Sequence, residues 1–354
     1  MKIMARFLLK GVLIAGYLLF FAQLKAQDIH FSQYNSSPLF LNPALAGNNN
    51  CDYRVYTNFR VQWPTVSDGN TYRTFAGGAD MAVGKVTKYN SFAGIGISFL
   101  SDQAGALNLS TNRVDLSLAY HFMLNRKGTM QLSAGLQGSF NYRSINPSNA
   151  TFDSQFDPTT GTVDPNGTKE TFGRTKVIYG DAGLGLLYNA VVKHDINFYF
   201  GFALNHVNQP KISFYPSGET NSAIGGERLY MKETFHGGMA IPVGSRLVIM
   251  PNFLVLLQGP SQEYDLGCNF KTILGNPRSS TTAFHMGVQY RGLIDAVIVN
   301  SRIDIKGFSC GLSYDINVSK LLPASHTVGA PEISLMYQGC TRKKPRPGHC
   351  PVMF

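Results

Sequence analysis

Beyond residue 26 the chain lacks any apolar run long enough to cross a membrane as a helix, which takes about 20 residues. Its cysteines (Cys51, Cys268, Cys310, Cys340 and Cys350) fit no zinc spacing. Its histidines are scattered, with no His-x-x-x-His pair to hold a metal. There is no Gly-x-Ser-x-Gly elbow for a serine nucleophile. Gly183 and Gly185 alternate within strand-like sequence and lack the strand-to-helix setting of a phosphate loop. Asp153, Asp157 and Asp164 do not follow the twelve-residue calcium spacing, and their neighbours are ordinary turn formers. No catalytic residue, metal ligand or cofactor site can be named, so a non-enzymatic protein without a cofactor is expected.

Positive charge is present but unevenly placed. The net charge is +10. Lys2, Arg6 and Lys10 form a basic start, and Gly11 to Ala22 is apolar. Residues 1–26 therefore read as a secretory signal with cleavage after Ala26. The absence of a cysteine after that cut argues against a lipoprotein. Arg342, Lys343, Lys344 and Arg346 form a second basic cluster in residues 341–354. Charge confined to a leader and a tail does not describe a nucleic-acid surface. The tail reads either as a solvated end or as an electrostatic contact for an acidic periplasmic partner. Cys340 and Cys350 bracket it and are the candidate disulfide pair in an oxidising compartment. Cys268 and Cys310 fall on apolar strand faces, where cysteine acts as a small hydrophobe.

What fills the rest of the chain is alternation. In Ser110 to Asn125, Val114, Leu116, Leu118, Tyr120 and Phe122 fall on one face of an extended strand. Arg113, Asp115, Ser117, Ala119 and His121 fall on the other. The pattern recurs to Gln338 and predicts an all-β fold, a transmembrane antiparallel β-barrel of about 14 strands. The barrel is expected over residues 51–340. Pro251 inside one strand is expected to require a bulge, because proline cannot donate to the ladder.

The connections alternate between tight and long, with Thr272 to Thr281 and Gly292 to Ile294 as the two that break the pattern. Asn125 to Gly128, Ala190 to Asp195, Pro242 to Ser245 and Asp304 to Lys306 are tight, whereas Arg143 to Thr175, His206 to Glu227 and Asn317 to Gly329 are long. Outer-membrane barrels keep short turns on the periplasmic side. That parity predicts both termini in the periplasm. Asp115, Asp181, Asp265 and Arg113 on inward faces suit either a polar transport path or a salt-bridged plug.

Residues 27–50 stand apart as a periplasmic or luminal segment. Ser36, Ser37, Pro38, Asn42, Pro43 and Gly47 break regular structure, while Phe31, Tyr34, Leu39, Phe40 and Leu41 need burial. The segment is expected to enter the lumen, to cap its periplasmic mouth, or to pack as a strap against the wall.

The run from Gln27 to Gly47, QDIHFSQYNSSPLFLNPALAG, closely resembles the opening of the PorP/SprF family of type IX secretion outer-membrane proteins. The likeness continues at Arg60, Gln62 and Trp63 (R-x-Q-W), Gly94 to Gly105, Tyr120 to Gly128, Gly311 to Ser319 and Ala330 to Tyr337. Thr151 to Gly173 departs from it. The resemblance implies a Bacteroidota outer-membrane barrel bound to periplasmic type IX secretion proteins or to a secreted surface adhesin. From the residues alone, two other readings stay open. One is an outer-membrane channel or FadL-like hydrophobic-solute transporter. The other is a soluble secreted β-sandwich adhesin.

Overall fold

The computed structural model describes residues 28–340 apart from 50, 65–70, 86–90, 106, 151, 158, 165–172, 193–194, 215–227, 277–281, 293–294, 321 and 326. The signal reading over 1–26 and the tail residues Arg342, Lys343, Lys344, Arg346 and Cys350 lie outside the described residues.

The alternating segments become β1 (Tyr53–Gln62), β2 (Tyr72–Lys85), β3 (Phe92–Ala104), β4 (Leu109–Met123) and β5 (Met130–Ser144). A small hairpin of β6 (Phe156–Asp157) and β7 (Thr162–Val163) sits in the following loop. Then come β8 (Lys176–Val191), β9 (Asn197–Asn205), β10 (Lys232–Val243), β11 (Leu247–Gln258) and β12 (Ser261–Leu274). β13 (Thr282–Arg291), β14 (Ala296–Ile305), β15 (Phe308–Asn317) and β16 (Ala330–Gly339) complete the chain. All but the small hairpin form one closed antiparallel barrel of 14 strands, as expected. β16 returns to β1 in a register that sets Arg60 opposite Glu332 and Tyr53 opposite Gly339. Closure leaves no strand with a free edge, so the wall's backbone groups pair within the sheet.

The two faces of the wall follow the period of two. On β4, Leu116 is 52% exposed while Asp115 and Ser117 are fully buried. Leu136, Ile178 and Leu266 stand out from neighbouring strands in the same way. Arg113, Asp115, Asp181 and Asp265 turn inward. An apolar outer belt around a polar interior is the membrane-barrel arrangement. Cys268 and Cys310 lie on the outward face, half-buried and unbonded.

Two expectations need correction. Pro251 causes no bulge. It pairs with Cys268 of β12 in an uninterrupted ladder. On its other side the ladder to β10 skips Met239 and Ala240 and resumes in the same register. The missing donor is thus absorbed as a local gap. The disulfide is also different: Cys340 bonds Cys51, with Cα atoms 4.5 Å apart, and is not paired with Cys350. Barrel closure brings the start of β1 beside the end of β16, so residues 289 apart in sequence become neighbours.

The tight connections 124–129, 244–246 and 306–307 lie at one end of the barrel, although 259–260 at the other end is tight too. The long ones (145–175, 206–231 and 318–329) gather at the other. β1 begins and β16 finishes at the short-turn end. Asp28, the first described residue, lies at the long-loop end, beside the start of β10 and the end of β11. The two ends of the described chain are therefore on opposite sides, because residues 28–49 run the length of the lumen before β1 starts. The expectation of both termini in the periplasm concerns residues outside those described.

Candidate functional site

The site is the lumen and the segment that occupies it. Two prolines organise the segment. Pro38 opens the short helix Pro38–Leu41, and Pro43 opens the 3-10 turn Pro43–Leu45; at a first helical position proline loses no needed donor. The Asn42 side chain caps the second turn by accepting from the Ala44 amide at 2.9 Å. Gly47, at φ +70°, turns the chain out toward β1.

At the long-loop end the contacts are ionic. The Asp28 carboxylate meets His206 Nε2 at 2.6 Å and Lys232 Nζ at 3.1 Å. His206 Nδ1 reaches Asp181 at 2.5 Å. Burial would lower the His206 imidazole pKa, but Asp28 and Asp181 outweigh it and hold it above its ordinary value. Burial would raise the Asp28 carboxyl, but His206 and Lys232 hold it well below the usual carboxylate range. An imidazole with a carboxylate at each nitrogen donates to both only as the cation.

Below this lies a buried cluster. The Ser32 and Gln33 amides donate to the Glu332 carboxylate at 2.8 and 2.9 Å. Ser32 Oγ donates to Asp315 at 2.6 Å. Arg60 and Arg291 reach the same Asp315 oxygen at 2.8 and 3.1 Å. Midway, the Tyr34 hydroxyl donates to Asn252 at 2.8 Å. Asn42 Nδ2 donates to the backbone carbonyls of Leu186 at 3.0 Å and Phe202 at 3.2 Å. At the short-turn end, the Gly47 amide donates to Asp80 at 2.7 Å. Arg54 clamps Asp80 from the other side, with Nε at 2.9 Å, and also donates to the Leu45 carbonyl at 3.2 Å. Both side chains of that pair are fully buried.

Apolar packing completes the seat. Phe31, Tyr34, Leu39 and Leu41 are all buried to 5% exposure or less, and Phe40 is half-buried. Leu41 and Leu45 pack with Leu187, Tyr199 and Leu254 of the wall. Leu39 and Ala46 pack with Tyr56, Ala119 and Met336. Full burial of such side chains is worth about 1.5–3 kcal/mol each. Gly94, Gly135 and Gly185 leave room for the turn: a Cβ there would overlap Ala46, Pro43–Ala44 and Asn42 respectively. The space left between the segment and β10–β11 is about 40 Å³, enough for a few water molecules.

The structure thus brings together Phe31, Tyr34, Leu39, Phe40 and Leu41, which sequence reasoning singled out. It adds Ser32, Arg54, Asp80, Asp315 and Glu332, which that reasoning missed, and gives Asn42, Gly47 and Arg60, named there only as breakers or motif residues, bonds within the lumen. The signal was available in part: Arg54 and Arg60 recur at even spacing on one face of β1. Asp157 closes its own turn through the Thr159 amide and Thr160 hydroxyl. Among the described residues no cluster suited to a metal ion is found.

Solved structures with a similar outline are barrels. A CymD monoaromatic hydrocarbon channel matches at TM-score 0.49 and 9% identity, over 86% of this chain and 93% of that one. The Ralstonia pickettii toluene transporter TbuX matches at TM-score 0.49 and 11% identity, over 85% and 92%. The translocator domain of the Neisseria meningitidis autotransporter NalP matches at 0.43 and 12%, over 86% and 95%. No curated protein matches in sequence. The family described as type IX secretion system membrane protein PorP/SprF matches residues 23–337, nearly all of the barrel and its luminal segment. This chain is an outer-membrane β-barrel that belongs to the PorP/SprF family of type IX secretion membrane proteins.

Proposed function

We propose that this barrel serves type IX secretion as a sealed, non-enzymatic docking protein, binding periplasmic secretion components or a secreted surface adhesin. The observation that carries the reading is the luminal segment. It spans the barrel from one end to the other and is bonded to strands all around the wall. A lumen filled in this way offers partners a rigid platform and offers solutes little room. The long loops face outward and the short turns face the periplasm in this reading, following the usual parity of outer-membrane barrels. The basic tail with Arg342, Lys343, Lys344 and Arg346 then leaves β16 on the periplasmic side, where an acidic partner can meet it.

The test is a gentle detergent pull-down of the tagged full chain, beside a version ending at residue 340. Recovery of envelope secretion proteins by the full chain, and loss of a periplasmic one without the tail, supports the reading. Recovery of every partner without the tail removes the tail from the docking surface. Recovery of none by the full chain overturns the docking role.

A further inference from the structure

The short-turn end carries a charge pattern that neither the plug nor the tail uses. Arg126 and Lys127 lie in the β4–β5 turn, Arg246 in the β10–β11 turn and Lys306 in the β14–β15 turn, and all four are exposed. Among the described residues none of the four meets a carboxylate within ion-pair distance. Asp195, between β8 and β9, is the one acid among the described residues of the turns at this end. At the opposite end the signs are mixed. Asp153, Asp157, Asp164 and Asp295 share its connections with Arg174, Lys211, Arg228 and Lys320.

Depth decides what these cations meet. Lipid-facing apolar side chains run to the edge of each turn: Leu124 and Met130, Val243, and Ile305 and Phe308 are all exposed outward. Each cation is one to three residues from such a side chain. A strand rises about 3.3 Å per residue. The cations therefore sit within about 10 Å of the hydrocarbon edge, in or at the headgroup zone. As turn residues between adjacent wall strands they also lie on the circumference of the barrel. A water-soluble acidic partner would meet a charge at the mouth; a charge at this depth and radius meets lipid phosphate.

We propose that the short-turn rim is a collar for anionic glycerophospholipid headgroups, with Arg126, Lys127, Arg246 and Lys306 each contacting a lipid phosphate. The collar fixes this rim in the phospholipid leaflet and sets the barrel's depth.

The test uses the full chain reconstituted in phosphatidylcholine bilayers with trace spin-labelled lipid. Association of labelled phosphatidylglycerol is compared with that of labelled phosphatidylcholine. Enrichment of about fivefold at each cation is expected, or about twofold averaged over the whole belt. The variant carrying Arg126→Gln, Lys127→Gln, Arg246→Gln and Lys306→Gln brings the average to about one. The charge-keeping variant Arg126→Lys, Lys127→Arg, Arg246→Lys and Lys306→Arg retains the preference. If the neutral variant does not fold, as read by heat-modified gel mobility, salt titration of the parent replaces it, and the preference must vanish at high salt. Equal association of both lipids with the parent overturns the proposal. So does a preference that survives neutralisation or high salt. Stronger enrichment of labelled lipid A, lost in the neutral variant, overturns it too by assigning the cations to the other leaflet.

Discussion

Asp80→Asn tests how firmly the luminal segment is held. Asp80 is the meeting point of the Arg54 guanidinium and the Gly47 amide, in a place with no exposed side-chain surface. The substitution keeps the volume and one acceptor but removes the charge. Arg54 is then left buried without a counter-charge, and its bond to the Leu45 carbonyl cannot replace one. Breaking a buried pair by neutralising one partner typically costs about 3–5 kcal/mol. Removing both charges with Arg54→Met and Asp80→Asn should cost clearly less, since no orphaned ion remains and the Asn carbonyl still accepts from the Gly47 amide. Urea unfolding in detergent, read by gel mobility, gives the free energies. Hydrogen exchange at the Gly47 amide reports the segment itself. The account expects the single variant to lose most of that protection and the double variant to sit between it and the parent. A single variant within about 1 kcal/mol of the parent, with Gly47 still protected, would refute the reasoning.

His206 supplies a pH dependence. Its folded pKa is raised, so its contribution is fully present below the ordinary histidine value of about 6.5 and is lost as pH rises through the folded value. Asp28, Asp181, Lys232 and Arg113 are the charged groups around it and Asp28. Exchange at residues 28–33, corrected for its intrinsic pH dependence, should therefore speed up above that value in the parent and show no such step in His206→Asn. The disulfide predicts a Cys51–Cys340 linked peptide in unreduced digests, and Cys51→Ser should cost about 2–4 kcal/mol; a Cys340–Cys350 peptide would contradict the structure. Gly135→Ala pushes a methyl into Pro43 and Ala44 and should cost about 1–3 kcal/mol. Gly138→Ala on the same strand meets open space and should stay within about 0.5 kcal/mol by the same unfolding assay.

The strands were legible because alternation is a local signal that each strand repeats. Val114 to Phe122 states which face meets lipid without reference to any other part of the chain. The small β6–β7 hairpin has no such pattern and was not read. Pro251 in sequence reads as a defect requiring a bulge, yet the ladder to β12 continues past it while the gap falls on the β10 side. The Cys51–Cys340 bond was missed because local spacing favoured Cys350, ten residues away. Closing the barrel in mind would have placed β1 beside β16 and suggested Cys51. In the luminal segment the large apolar side chains announced their need for burial. Ser32, Asn42 and Gly47 did not, because a short polar residue in a turn looks the same whether it faces water or a buried carboxylate. The direction of the segment was illegible for a related reason: its anchors, Glu332, Asp315 and His206, are hundreds of residues away and become a single rim only once the sheet closes.

The central claim is that residues 28–49 seal the barrel. Planar-bilayer conductance of the purified protein tests it most directly, with the parent chain compared to a variant lacking those residues. The account predicts a quiet parent, and steady openings in those deletion molecules that still fold. A large, steady conductance from the intact protein would contradict it.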